Sequence, residues 1–134
     1  MLQRQDNPNF WQSVTGSLED NETPIHAAVR ELCEETGVCL TESELHDWHL
    51  HYDYDIYPEY WHRYAPGTRK NTEHVFSVNI ALDTPIALAV KEHSACRWVG
   101  AEEALALAYS PSNQAAIAKL LAQANAITQS TDVT

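Results

Sequence analysis

Between Gly16 and Val38 the sequence reads GSLEDNETPIHAAVRELCEETGV, with six acidic residues, three of which, Glu31, Glu34 and Glu35, fall within five positions. Thr23 as N-cap, Pro24 at the first helical position and Gly37 past the end predict one short helix. Like charges three and four apart on a helix repel by roughly 0.2–0.5 kcal/mol per pair, so the cluster needs something positive to offset it. On a helical wheel Ile25, Ala28, Val29 and Leu32 form an apolar stripe that would dock on a sheet. Glu31 and Glu35 lie one turn apart on an adjoining side, with Glu34 further round. Two carboxylates on a buttressed helix suit a hard divalent cation. Magnesium takes one or two protein carboxylates and fills its remaining positions with water and phosphate, and manganese accepts the same donors. Arg30, one residue before Glu31 and four before Glu34, is placed to orient or neutralise a carboxylate. Taken alone, the pair leaves a solvated acidic helix face equally open.

The elements that must position this helix are legible from periodicity. MLQR reads as the tail of a strand, DNPN as a turn, and FWQSVTG as a short strand closed by Gly16. Trp48, Leu50, Tyr52, Tyr54 and Ile56 alternate with His49, His51, Asp53, Asp55 and Tyr57, the pattern of a half-buried strand. A second alternation puts Phe76, Val78, Ile80 and Leu82 on one face. ACRWV predicts a short strand, and two helices follow, AEEALALAY and the segment after Ser110 as N-cap and Pro111. Trp11, Trp48, Trp61 and Trp98 are assigned to the core. Strands interspersed with helices predict an α/β fold around a mixed sheet. The 134 residues make one domain, 1–125, with 126–134 a disordered tail.

Nineteen acidic against eight basic residues give a formal charge of −11. That disfavours a nucleic acid polymer as partner and leaves an anionic small molecule admissible where a cation inverts the local field. No apolar run reaches the length of a membrane span, and neither a signal peptide nor a lipidation signal is legible, so the cytoplasm is the expected location. Three cysteines without a C-x-x-C are expected to be reduced rather than bridged or zinc-bound. His49, His51, Asp53 and Asp55 share a strand face but lack a defined further ligand, and are read as exposed. Arg63, Arg69 and Lys70 mark a basic loop suited to a triphosphate or a partner subunit.

Gly16, Glu22, Arg30-Glu31-Leu32, Glu34-Glu35 and Gly37-Val38, nine positions at fixed spacing, match the signature of the Nudix hydrolases, which cleave diphosphates linked to another moiety. The segments FWQSVTGS, HRYAPGTRKNTEH, KEHSACRW and SPSNQAAI further resemble the bacterial Nudix subfamily that acts on dihydroneopterin triphosphate in folate synthesis. The resemblance implies an α/β/α sandwich, here N-terminally shortened, since members carry a further strand ahead of the position of Met1. Either the start of the protein lies upstream, or the sheet is completed differently, by a partner subunit at an exposed edge, a second copy of the chain included.

The resemblance also implies roles. Glu31 and Glu35, with Glu92 from outside the helix, would hold Mg²⁺ or Mn²⁺. Glu34 would be a further ligand or the base, Glu22 would brace the loop, and Gly16 would let backbone approach the phosphates. Arg4, Thr15, Tyr54, Asp55, Ile56, Tyr57 and Ser110 align with substrate-contacting positions. The expected reaction is Mg-dependent hydrolysis of the small-molecule triphosphate to dihydroneopterin monophosphate and pyrophosphate. A nucleoside triphosphate pyrophosphohydrolase and a non-catalytic Nudix-like binding module are the rival readings.

Overall fold

The computed structural model describes residues 1–19 and 21–132. Two antiparallel sheets and three helices build an α/β fold. Strands β1 (Leu2–Arg4), β2 (Trp11–Gln12) and β5 (His93–Cys96) form one sheet in the order β2-β1-β5. Strands β3 (His46–Asp55) and β4 (Lys70–Ser77) form the other. A parallel bridge between Trp11 and Ala108 supplies the mixed character. Helix α1 (Pro24–Thr36) lies against β4, and α2 (Ala101–Leu107) against α3 (Pro111–Asp132).

Helix α1 begins and ends where its sequence signals put it. The Thr23 side chain accepts from the His26 N–H, Pro24 opens the first turn, and Gly37 at φ 76 closes the helix by donating to the Cys33 carbonyl. The carbonyls freed at this end are taken up from outside. Ala87 N–H donates to Thr36 at 2.7 Å and Ala89 N–H to Glu35 at 3.4 Å. The loop that leads to Glu92 and His93 is thereby tied to the helix end.

Alternation along β3 holds. Leu50, Tyr52 and Tyr54 turn inward and His51, Asp53 and Asp55 outward. His49 sits exposed at a register shift with φ 52. The second strand departs from expectation. It starts at Lys70, inside the basic loop, and ends at Ser77, so Val78, Ile80 and Leu82 lie outside it and Leu82 is exposed. Strand β5 is His93–Cys96 rather than ACRWV.

Helix α3 continues through 126–132, expected above as a disordered tail, in keeping with the strong helix formers Ala and Gln that fill the segment before it. Val133 and Thr134 lie outside the described residues.

Among the described residues the buried apolar side chains are Leu2, Phe10, Ala27, Val38, Ile56, Val75 and Ala108. The tryptophans are not among them. Trp61 and Trp98 are exposed, and Trp11 and Trp48 half-buried. Trp61 instead donates from Nε1 to the Ile56 carbonyl and is capped by the Arg69 guanidinium at 3.8 Å from its ring centre, a surface cation–π contact.

The cysteine expectation is also corrected, since Cys33 and Cys39 are joined in a disulfide. The left-handed turn at Gly37 reverses the chain, so the Cα atoms of Cys33 and Cys39 approach to 4.4 Å. Cys96 is free.

Candidate active site

Arg30 organises the acidic helix. Its Nε and Nη2 donate to the two carboxylate oxygens of Glu22 at 2.8 and 2.9 Å. Nη1 reaches Glu31 Oε1 at 2.8 Å and Glu34 Oε2 at 3.2 Å, and Nη2 also donates to the Ser17 carbonyl. Glu22 in turn accepts from the Glu19 N–H, closing the loop ahead of the helix. Asn21 at φ 63 makes the turn that delivers it, a backbone state asparagine tolerates better than most residues. Arg30 holds the Glu22 carboxyl well below the ordinary range, at about 2, aided by the Glu19 N–H.

Glu31 and Glu35 behave oppositely. Burial pushes the Glu31 carboxyl up against the pull of Arg30. Burial also pushes Glu35 up, and the charges of Glu92 and Glu34 add to it. Glu35 is 7% exposed, whereas Glu34 and Glu92 face solvent. Glu35 Oε2 sits 2.6 Å from His93 Nδ1, although the approach is off the hydrogen-bond axis and neither atom has another partner. Gln12 Nε2 meets the far ring nitrogen of His93 at 2.9 Å.

Among the described residues no three acidic, histidine or cysteine side chains are drawn together as a closed metal cage. Glu31, Glu35 and Glu92 are therefore neighbours whose carboxylates are turned to other partners, Glu31 to Arg30 and Glu35 to His93. The donor set nevertheless fits a hard divalent ion. It is all carboxylate oxygen, and the charges of Glu34 and its neighbours add to burial in raising the Glu31 and Glu35 carboxyls, a repulsion that a cation would offset. Gly16 packs so closely on this group that a Cβ there would overlap the Glu31 carboxylate.

Gly16 and Glu31 line one side of a cavity of about 550 Å³, a volume in the range of small-molecule sites. Thr15, Tyr54 and Ser110 also line it. Asp55 and Ile56 do not. Asp55 points to solvent, 3.9 Å from Lys70, and Ile56 is core. Tyr57 packs edge-on against Phe10 and Tyr109, away from the cavity lining. Arg4 pairs with Asp6 at 2.9 Å and lies 4.4 Å from the Tyr60 ring centre. The basic loop is engaged locally too, Arg63 with Asp6 and Lys70 with Asp55.

The sequence reading passed over Gln12, Glu73, His93 and Asn113. Glu73 lies on the inward face of β4 with Asn71 and Val75 and lines the cavity. Burial raises its carboxyl, with the Ser112 hydroxyl opposing. An acidic residue at an inward step of the Asn71-Glu73-Val75 alternation was the available signal. His93 offered none beyond its position next to Glu92.

The NUDIX domain model matches residues 1–121. The chain is 41% identical over 126 residues to dihydroneopterin triphosphate diphosphatase of Escherichia coli strain K12, covering 92% of this chain and 83% of that one. It is 38% identical over 123 residues to the enzyme of the same name from Haemophilus influenzae, covering 90% and 77%. The solved structure of the E. coli dihydroneopterin triphosphate pyrophosphohydrolase superposes with a TM-score of 0.81 at 41% identity, over 89% of this chain and 82% of that one. With the signature residues gathered around Arg30 and opening on a cavity, and with these relatives, the chain belongs to the Nudix family of hydrolases.

Proposed function

We propose that the chain hydrolyses dihydroneopterin triphosphate to dihydroneopterin monophosphate and pyrophosphate in a magnesium-dependent reaction of the cytoplasm. The observation that carries this reading is the junction of Gly16 and Glu31 with a cavity of about 550 Å³, so that the Glu31 carboxylate borders a space of a size for a heterocycle. The relatives named for that substrate support the choice of pterin. Glu31, Glu35 and Glu92 would hold Mg²⁺, with Mn²⁺ as a substitute. The bound ion supplies positive charge for the phosphates and lowers the pKa of attacking water.

The chain's own groups do the rest. Gly16, lacking a Cβ, keeps the Glu31 carboxylate within reach of the loop backbone. Arg30 orients Glu31 and Glu34 from one guanidinium, itself fixed by Glu22. Glu34, exposed at the mouth of the cluster, takes the proton of the attacking water. Thr15, Tyr54 and Ser110 receive the substrate along the cavity wall; Arg4 lies outside that wall, paired with Asp6.

Pyrophosphate release measured with and without Mg²⁺, on dihydroneopterin triphosphate and on deoxynucleoside triphosphates, tests the reading. Release that is magnesium-dependent and faster with the pterin is expected. Equal or faster release from a nucleotide would move the assignment to a nucleoside triphosphate pyrophosphohydrolase. Binding without release would leave a non-catalytic module.

A further inference from the structure

At the end of α1 a signature residue, Glu35, meets a residue outside the nine signature positions, His93, through Oε2 and Nδ1. His93 is 3% exposed and Glu35 7%, and the two atoms stand 2.6 Å apart, off the hydrogen-bond axis and without a hydrogen-bond partner elsewhere. A carboxylate oxygen is an acceptor, so contact at this distance needs the proton on Nδ1. Gln12 supplies the reason for the proton to be there. Its amide nitrogen stands 2.9 Å from His93 Nε2 and donates to it, which makes Nε2 the acceptor and Nδ1 the N–H of a neutral ring.

Gln12 and His93 come from β2 and β5, the strands on either side of β1, whereas Glu35 comes from the last turn of α1. The sheet thus sets a ring nitrogen against one oxygen of a helix carboxylate. Arg4, Asp6, Glu34 and Glu92 are the other charged groups whose fields reach this histidine and glutamate, and among the described residues none of them hydrogen-bonds to the pair.

We infer that His93, set in its tautomer by Gln12, is a positioning residue for Glu35, fixing Oε2 so that Oε1 is left for the divalent ion. The inference rests on the reading of Glu35 as a ligand in the proposed function. It gives this chain an outer partner for a metal-binding carboxylate, of the kind whose removal costs about 10–100-fold in metal affinity.

The test uses the intact chain and Mn²⁺ as probe, with free Mn²⁺ counted by its electron paramagnetic resonance signal and folding followed by circular dichroism. His93→Leu is expected to weaken Mn²⁺ binding about 10-fold or more. At saturating Mn²⁺ its kcat should return toward wild type with the substrate KM unchanged. In a Glu35→Gln background the same substitution should cost nothing further, because its effect passes through Glu35. Two amide variants cover the case in which leucine disrupts folding. The amide nitrogen of asparagine falls near the position of Nδ1, that of glutamine near Nε2, so His93→Asn should retain Mn²⁺ affinity within about 3-fold and His93→Gln should lose it as leucine does.

Wild-type affinity in folded His93→Leu, or equal behaviour of the asparagine and glutamine variants, overturns the inference. If Glu35→Gln itself leaves Mn²⁺ binding unchanged, the ligand assignment fails first. A weakened Glu35→Gln with unaffected His93 variants removes the inference alone.

Discussion

Gly16→Ala places a methyl group on the Glu31 carboxyl, closer than any carbon–carbon van der Waals contact. Ordinary separation is about 3.5–4 Å, so Glu31 must retreat by something on the order of 1.5 Å. Its 2.8 Å hydrogen bond from Arg30 Nη1 cannot survive that displacement. A hydrogen bond to a charged group contributes about 1.5–3 kcal/mol. The Glu31 side chain is 14% exposed and Arg30 keeps both bonds to Glu22, which discounts the loss to about 1–2 kcal/mol. Turnover should suffer more than stability, because misplacing a reacting group by about 1 Å costs on the order of 100-fold. A double-mutant cycle isolates the cause. Urea unfolding of Gly16→Ala, Glu31→Ala and the double variant should show the alanine at 16 costing about 1–2 kcal/mol with Glu31 present and close to nothing without it. An equal cost in both backgrounds would refute the steric reasoning, since the methyl group would then be meeting something other than Glu31.

Acid should reveal the Glu22–Arg30 pair. The folded carboxyl sits at about 2 against an ordinary 4.5, so its contribution is complete above the ordinary value and is lost as pH falls toward 2; the Tm of Glu22→Gln should therefore fall less steeply than wild type across that window. Reduction of the Cys33–Cys39 bond should raise the count of titratable thiols from one to three and lower stability by about 2 kcal/mol, as expected for so short a loop, with a thermal melt in the presence and absence of dithiothreitol as the measurement. Asp55→Asn should leave the substrate KM within about twofold, because its side chain is 85% exposed and outside the cavity; steady-state kinetics would show a larger rise if Asp55 read the heterocycle.

What was legible in the sequence was local. Thr23, Pro24 and Gly37 each act on the backbone within a few residues of themselves, so the limits of α1 could be read from them, and with the limits came the relative placement of Arg30, Glu31, Glu34 and Glu35. The alternation of β3 was legible for the same reason, since a strand exposes every second residue whatever it pairs with. The end of β4 was not, because Val78, Ile80 and Leu82 continue the alternation past the point where β3 stops pairing at His46 with Ser77. Trp61 reads as core by hydrophobicity but is held at the surface by Arg69, eight positions on. The Cys33–Cys39 bond depends on the direction in which Gly37 turns the chain, which spacing alone does not disclose. His93 meets Glu35 across fifty-eight positions, by the difference of their numbers, and only tertiary contact could reveal it.

Ala87 and Ala89 donate to the carbonyls of Thr36 and Glu35. That seam sets a ruler along the chain, because from Ala87 to His93 each residue has a fixed count to keep if Glu92 and His93 are to arrive opposite α1. Insertions and deletions accepted during divergence should therefore gather upstream, between Asn79 and Pro85, where strand pairing has ended and the seam has not begun. A single added residue between Ala89 and Glu92 would break the bonds that the Glu92 and His93 N–H groups donate to the Ala89 carbonyl, and would shift both residues together against α1.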